Sequence, residues 1–246
     1  MNIITVFKES ISAAKGNPLL FVPMLASVVF SAIIGFIFAG SAMPMMGGFS
    51  GEQFAANPER ALAGAGAALG SMMIVSIISS FVNFLAHGMT VGMADTALKG
   101  EAVTLNSGWQ RLVSRIVPLV IASVIVIILI TLGMILLILP SLIVAFFLMF
   151  TLIAVMVDNL SPGKALGRSV KTVTKNFGAT FITFLVIVGL TLPVLLLNFV
   201  LVLIPVLGVI LSTLLFSIYT AFITIFLVRV YHNLDVQTDT SPEVEI

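Results

Sequence analysis

The chain has 246 residues, of which 60% are hydrophobic and only 9% charged, and its eleven basic and ten acidic residues leave a net charge of +1. Soluble domains carry about 25% charged residues, so this composition excludes a soluble globule and requires contact with lipid. Cysteine is absent, which excludes disulfides, thiolate metal sites and a cysteine nucleophile.

In chain order, the first apolar stretch runs from Pro18 to about Gly40. It is too long for a signal-peptide core of about 7–15 residues and no small-residue cleavage site follows, so it is expected to be retained as the first span, 18–40. About 20 apolar residues cross the hydrocarbon core, and by that rule five more spans are expected at 62–86, 116–138, 141–157, 178–200 and 204–228. The runs 116–157 and 178–228 are unbroken. Each must be a hairpin, since one helix of about 40 residues would reach roughly 60 Å, twice the hydrocarbon thickness. Pro140 and Pro205, the latter with Gly208 three residues on, are the expected turn points, because proline removes a donor and disfavours helix in the residue before it. The expected fold is an all-α polytopic bundle over 1–235, with a flexible cytoplasmic tail at 236–246.

Orientation follows from the excess of Lys and Arg in cytoplasmic segments. With six spans and the N-terminus inside, Lys8, Lys15, Lys99, Arg111, Arg115, Lys164, Arg168, Lys171, Lys175 and Arg229 all fall on the cytoplasmic side. Only Arg60 falls outside, beside Glu52 and Glu59 in the loop 41–61. Both termini are therefore expected in the cytoplasm, and the protein in the cell membrane.

Three segments that precede inside-to-outside spans share a pattern. A basic residue stands three positions before a Pro or Gly that opens the span: Lys15 with Pro18, Arg115 with Pro118, Lys175 with Gly178. Upstream lies amphipathic spacing; in the second segment Trp109, Leu112, Val113 and Ile116 share one side, with Arg111, Ser114 and Arg115 on the other. Asp158-Asn159-Leu160 and His232-Asn233-Leu234 also echo one another after the fourth and sixth spans. Three units of interfacial helix, span, turn and span are expected.

The third segment carries the sharpest pattern. Ser161 is placed to N-cap a helix with Pro162 at its first position. Lys164, Arg168, Lys171 and Lys175 then fall within a sector of about 60°, with Leu166, Val170, Val173 and Phe177 roughly opposite. A helix of this kind lies in the membrane interface, where basic residues attract anionic head groups. The same charges also serve topology and solvation, and both readings stand. Arg111 and Arg115 join the stripe as candidate contacts for lipid head groups or a partner protein.

The run Ala165-Leu166-Gly167-Arg168-Ser169-Val170-Lys171-Thr172-Val173-Thr174-Lys175-Asn176-Phe177, entering a long apolar span, resembles the cytoplasmic helix of prokaryotic six-span membrane proteins. These are related to the membrane domain found beside glycerophosphodiester phosphodiesterase catalytic domains. The resemblance covers about residues 100–232 and names no functional residue. It implies a fold and a membrane setting, and the chain has no room for the catalytic domain itself.

Within the spans no Lys, Arg, Asp or Glu falls near an expected midplane, which weighs against ion-coupled transport. Asn83, His87, Asp95 and Asn198 are the polar candidates. Asn83, His87 and Asp95 could share a face of one continuous helix, either as buried groups bonded across helices or as a polar pathway. Gly66 with Gly70 and Gly88 with Gly92 form two GxxxG pairs in and after span two; that helix is expected to be central or to line an interface between protomers. Pro193 is expected to kink span five.

The chain has no HExxH or GxSxG motif and no P-loop spacing around Gly163-Lys164. Sparse basic residues at the membrane face exclude a nucleic-acid surface, and no cofactor or metal is expected. Two functions remain open: a non-enzymatic membrane scaffold or accessory protein contacting anionic lipids or a partner, and a permease or channel for a small or amphipathic solute.

Overall fold

A computed structural model describes residues 2–46, 58–136, 138–204 and 207–239, and every regular element among them is helical. Six segments are long and apolar enough to cross a membrane: Pro18–Phe38, Leu62–Leu98, Leu105–Ile135, Leu139–Val157, Phe177–Val202 and Leu207–Leu234. The chain is an all-α, multi-pass membrane bundle.

Helix α1 (Ile3–Gly16) begins at Asn2, whose side-chain oxygen accepts from the backbone N–H groups of Ile4 and Thr5. A 3-10 turn at Pro18–Phe21 then leads into α2 (Val22–Met46). Helix α3 (Pro58–Leu98) is 41 residues long. At 1.5 Å per residue it extends about 60 Å, so it runs well past the lipid that the expected span 62–86 allowed for. It is followed by α4 (Leu105–Leu136), α5 (Ile138–Leu148), α6 (Thr151–Val157), α7 (Pro162–Lys175), α8 (Phe177–Val202) and α9 (Leu207–Asp239).

The first hairpin turns earlier than expected. Helix α4 ends at Leu136 and α5 starts at Ile138, so Pro140 lies in the first turn of α5. Its missing N–H costs nothing there, because the first helical donors have no partner anyway. Gly133 permits the close approach: a Cβ on it would lie 2.8 Å from Ser141 Cα. In the second hairpin Leu203 and Ile204 donate to the carbonyls of Val200 and Leu201. A Cβ on Gly208 would lie 1.7 Å from the Leu201 carbonyl oxygen, so only glycine fits. Pro205, Ser50, Gly51, Glu52 and the tail from 240 onward lie outside the described residues.

Two of the three segments expected at the interface are separate helices and one is not. Helices α1 and α7 end at Asn17 and Asn176, both with non-helical backbone. Each asparagine donates its backbone N–H and its Nδ2 to the carbonyl four residues back, Ala13 or Thr172. Arg115-Ile116-Val117 holds no such residue, and α4 continues through Pro118. The exits differ as well: Asn159 adopts φ 56°, a left-handed conformation asparagine tolerates, while His232-Asn233-Leu234 stays inside α9.

The fourth span, expected as one helix over 141–157, is interrupted at Met149–Phe150 between α5 and α6. The Ser169 hydroxyl of α7 repairs the break, accepting from the Phe150 N–H at 3.2 Å and donating to the Phe147 carbonyl at 2.8 Å. Side-chain hydroxyls are one of the means by which freed backbone groups are satisfied in membrane helices.

Burial is uneven along the bundle. Val91, Met93, Ala94, Phe150, Met156, Phe226 and Tyr231 are enclosed at the end that carries the basic residues. Towards the far end Leu69, Met73, Ile77, Leu195, Leu196 and Phe199 are exposed, as lipid-facing side chains are. Gly88 and Gly92 lie within the enclosed end: a Cβ on Gly88 would meet Leu119 and Leu112 at 2.7 and 2.9 Å, and one on Gly92 would meet Arg111 and Met156. Gly66 and Gly70 have nothing within 4 Å of a Cβ. One GxxxG pair is central to the packing and the other is open.

Candidate functional site

The basic end is built on Asp95, whose side chain is 0% exposed. Its Oδ2 lies 2.8 Å from Lys99 Nζ and 2.6 Å from an Arg111 guanidinium nitrogen, and its Oδ1 lies 2.7 Å from His232 Nε2. An ionised carboxylate only accepts, so each of these groups donates to it. A buried carboxylate is tolerated only when paired and hydrogen-bonded, and here Lys99 just past the end of α3, Arg111 of α4 and His232 of α9 each supply a donor. Arg111 also donates from Nε to the Met156 carbonyl at 3.3 Å.

The last turns of α9 connect the remaining elements. Arg229 pairs with Glu9 of α1 at 2.8 Å. Tyr231 donates its hydroxyl to Asp158, whose carboxylate also lies 3.6 Å from Arg168 Nε. Arg115 donates to the Asn159 carbonyl at 3.0 Å. Three nearby positions, 229, 231 and 232, thus link α9 to α1, to the α6–α7 junction and to α3.

These pairings divide the basic residues that the sequence grouped together. Arg111, Arg115 and Arg168 hold protein groups, whereas Lys164, Lys171 and Lys175 are exposed and make no ion pair among the described residues. Sequence spacing gives the direction of a side chain but not whether a carboxylate from another helix waits there. The three lysines fall within about 40° of arc at about 100° per residue and span roughly 16 Å along the axis.

Helix α7 has three faces rather than the expected two. Ala165, Ser169, Thr172 and Val173 are buried against the protein, centred about 125° from the lysines. Val173, expected on the lipid side, belongs to this face, and Val170 and Phe177 remain exposed. Ser161 occupies the N-cap position with Pro162 next, but its hydroxyl makes no capping bond. The buried face is small and hydroxyl-bearing because it packs on the interrupted span, where Ser169 is needed.

The polar residues of the spans go to different neighbours. Asn83 accepts from the Ser27 hydroxyl of α2 at 2.9 Å and donates to the Ser79 carbonyl. His87 Nδ1 lies 3.2 Å from the Thr224 hydroxyl of α9. Asp95 faces α4 and α9. The three sit on one continuous helix, but each is bonded across a separate contact. Asn198 is half-buried near the far end of α8 and makes no side-chain hydrogen bond among the described residues. Pro193 lies inside α8, which continues past it.

Among the described residues no three His, Cys, Asp or Glu side chains gather as a metal site. The pairs carried by Glu9, Asp158, Tyr231 and His232 were not picked out from the sequence; their only trace there was the Asp158 and His232 echo. Together the fold and this end define a helical, multi-pass membrane protein with an ion-paired basic end and a free lysine row. No family model, curated protein or solved structure matches the chain.

Proposed function

We propose that the protein is a non-enzymatic membrane scaffold or accessory protein whose basic end faces the cytoplasm and binds anionic lipid through Lys164, Lys171 and Lys175. The observation that carries this reading is the division of the cations: arginines are engaged by protein groups, while these three lysines stay exposed in one row. Each basic residue near an anionic surface is worth about 1 kcal/mol. Exposed Val170 and Phe177, on and just after the same helix, suit a helix whose apolar side enters the acyl region. The hydrogen bonding of Asn83, His87 and Asp95 to neighbouring helices favours a scaffold over a polar transport pathway. Kinship with the membrane domain of the phosphodiesterase proteins is part of this proposal.

The test is native mass spectrometry of the wild type and of a Lys164→Gln, Lys171→Gln, Lys175→Gln triple variant across a salt series. The expected result is loss of co-purified acidic lipid in the variant, with the wild-type retention weakening as salt shortens the Debye length. Equal retention of acidic lipid by the two proteins would assign the lysines to topology alone.

A further inference from the structure

We propose that a crevice between α1 and α8 holds one acyl chain of an anionic phospholipid, with its phosphate at Lys8. The crevice has a volume of about 260 Å³ and is lined by Ile3, Ile4, Phe7, Val186, Gly189 and Leu190. Its lining is wholly apolar. The volume lies just below the range of about 300–1,000 Å³ usual for compact organic ligands, and it suits a single unbranched hydrocarbon chain.

The crevice is held open by anchors on its other side. Phe7 packs edge-on against Phe222 and Phe226 of α9, with ring centroids 5.6 and 5.7 Å away. Val6 is buried, and Glu9 pairs with Arg229. These contacts fix α1 on α9 and leave Ile3 and Ile4 over α8. Gly189 supplies the room. Glycine is the costliest non-proline residue inside a helix, and a Cβ at Gly189 would meet nothing within 4 Å, so contact between the helices does not require it.

Charge complementarity names the occupant. Lys8 stands one turn after Ile4 on the same side of α1; it is exposed and makes no ion pair among the described residues. The next residue, Glu9, is bonded to Arg229 of the basic end, so the order along α1 is apolar crevice, lysine, basic end. An anionic phospholipid has the same order of chain, phosphate and head group, and lysine binds phosphate as a point charge. This site is on a different helix from the α7 lysines and stands or falls separately from them.

The experiment uses full-length protein in nanodiscs of phosphatidylethanolamine and a phosphatidylglycerol with a photoactivatable acyl chain, followed by peptide mapping. Wild type is expected to cross-link at Ile3–Phe7 and at Val186–Leu190. Gly189→Phe, which fills the crevice, is expected to abolish both. Lys8→Gln should cut the preference for phosphatidylglycerol over a matching phosphatidylethanolamine probe by about fivefold, the effect of one cation near an anionic surface. The triple α7 lysine variant should leave both cross-links in place. Unchanged cross-linking in a Gly189→Phe protein with wild-type melting would overturn the proposal, as would labels spread evenly along α8, which mean an annular lipid only. A shift in oligomeric state without change in lipid labelling would place a second copy in the crevice instead. If Gly189→Phe fails to fold, Gly189→Leu and the wild-type map decide between the same outcomes.

Discussion

At the scale of single residues, the strongest constraint is one carboxylate. Asp95 is fully buried and receives Lys99, Arg111 and His232. Removing one partner of a buried pair leaves an uncompensated charge, at a cost of about 3–5 kcal/mol when both are enclosed. Arg111 and Lys99 keep 23% and 44% of their side-chain exposure, so water relieves part of that cost. Asp95→Asn is therefore expected to destabilise the protein by about 2–3 kcal/mol, read as a lower midpoint of thermal unfolding in detergent. A wild-type midpoint would mean that the cluster contributes nothing to the fold. Asp95 was picked out in the sequence as a polar residue that could share a helix face with Asn83 and His87. Lys99 lies one turn on, but that His232 would join it was not legible, since His232 lies 137 positions away and no local pattern links the two.

At the scale of elements, most helices were legible from apolar runs and caps, and the exceptions have local causes. Asn17 and Asn176 end α1 and α7 by bonding the carbonyl four residues back, and the absence of such a residue lets α4 run through Pro118. The break between α5 and α6 had no proline or glycine to announce it. It exists because Ser169 of α7 satisfies the Phe150 N–H and the Phe147 carbonyl. Ser169→Ala should cost about 1–3 kcal/mol, the penalty for leaving buried backbone groups unpaired. It should also speed hydrogen exchange at the Phe150 amide selectively. If exchange there matched the wild type, the hydroxyl would not be what holds the break.

For the whole molecule, the close packing lies at the basic end while the far halves of the spans present apolar side chains outward. The chain contains no cysteine, so single introduced thiols report topology directly. Ser50→Cys and Gly51→Cys are expected to react with an impermeant reagent added to intact cells, and Ser241→Cys is not. Reaction of Ser241→Cys from outside would overturn the six-span topology. Membrane residence and the number of spans were determined by composition and apolar run length alone, because a lipid core accepts only about 20 apolar residues per crossing. Tertiary structure alone decided which cations are engaged by protein groups and which stay free, where span four breaks, and which glycine pair is packed. Those outcomes depend on groups brought together from distant parts of the chain, as Arg229 is with Glu9 and Tyr231 with Asp158. Helical periodicity sets the direction of each side chain on its own helix, but the neighbour it meets is set by how the helices pack.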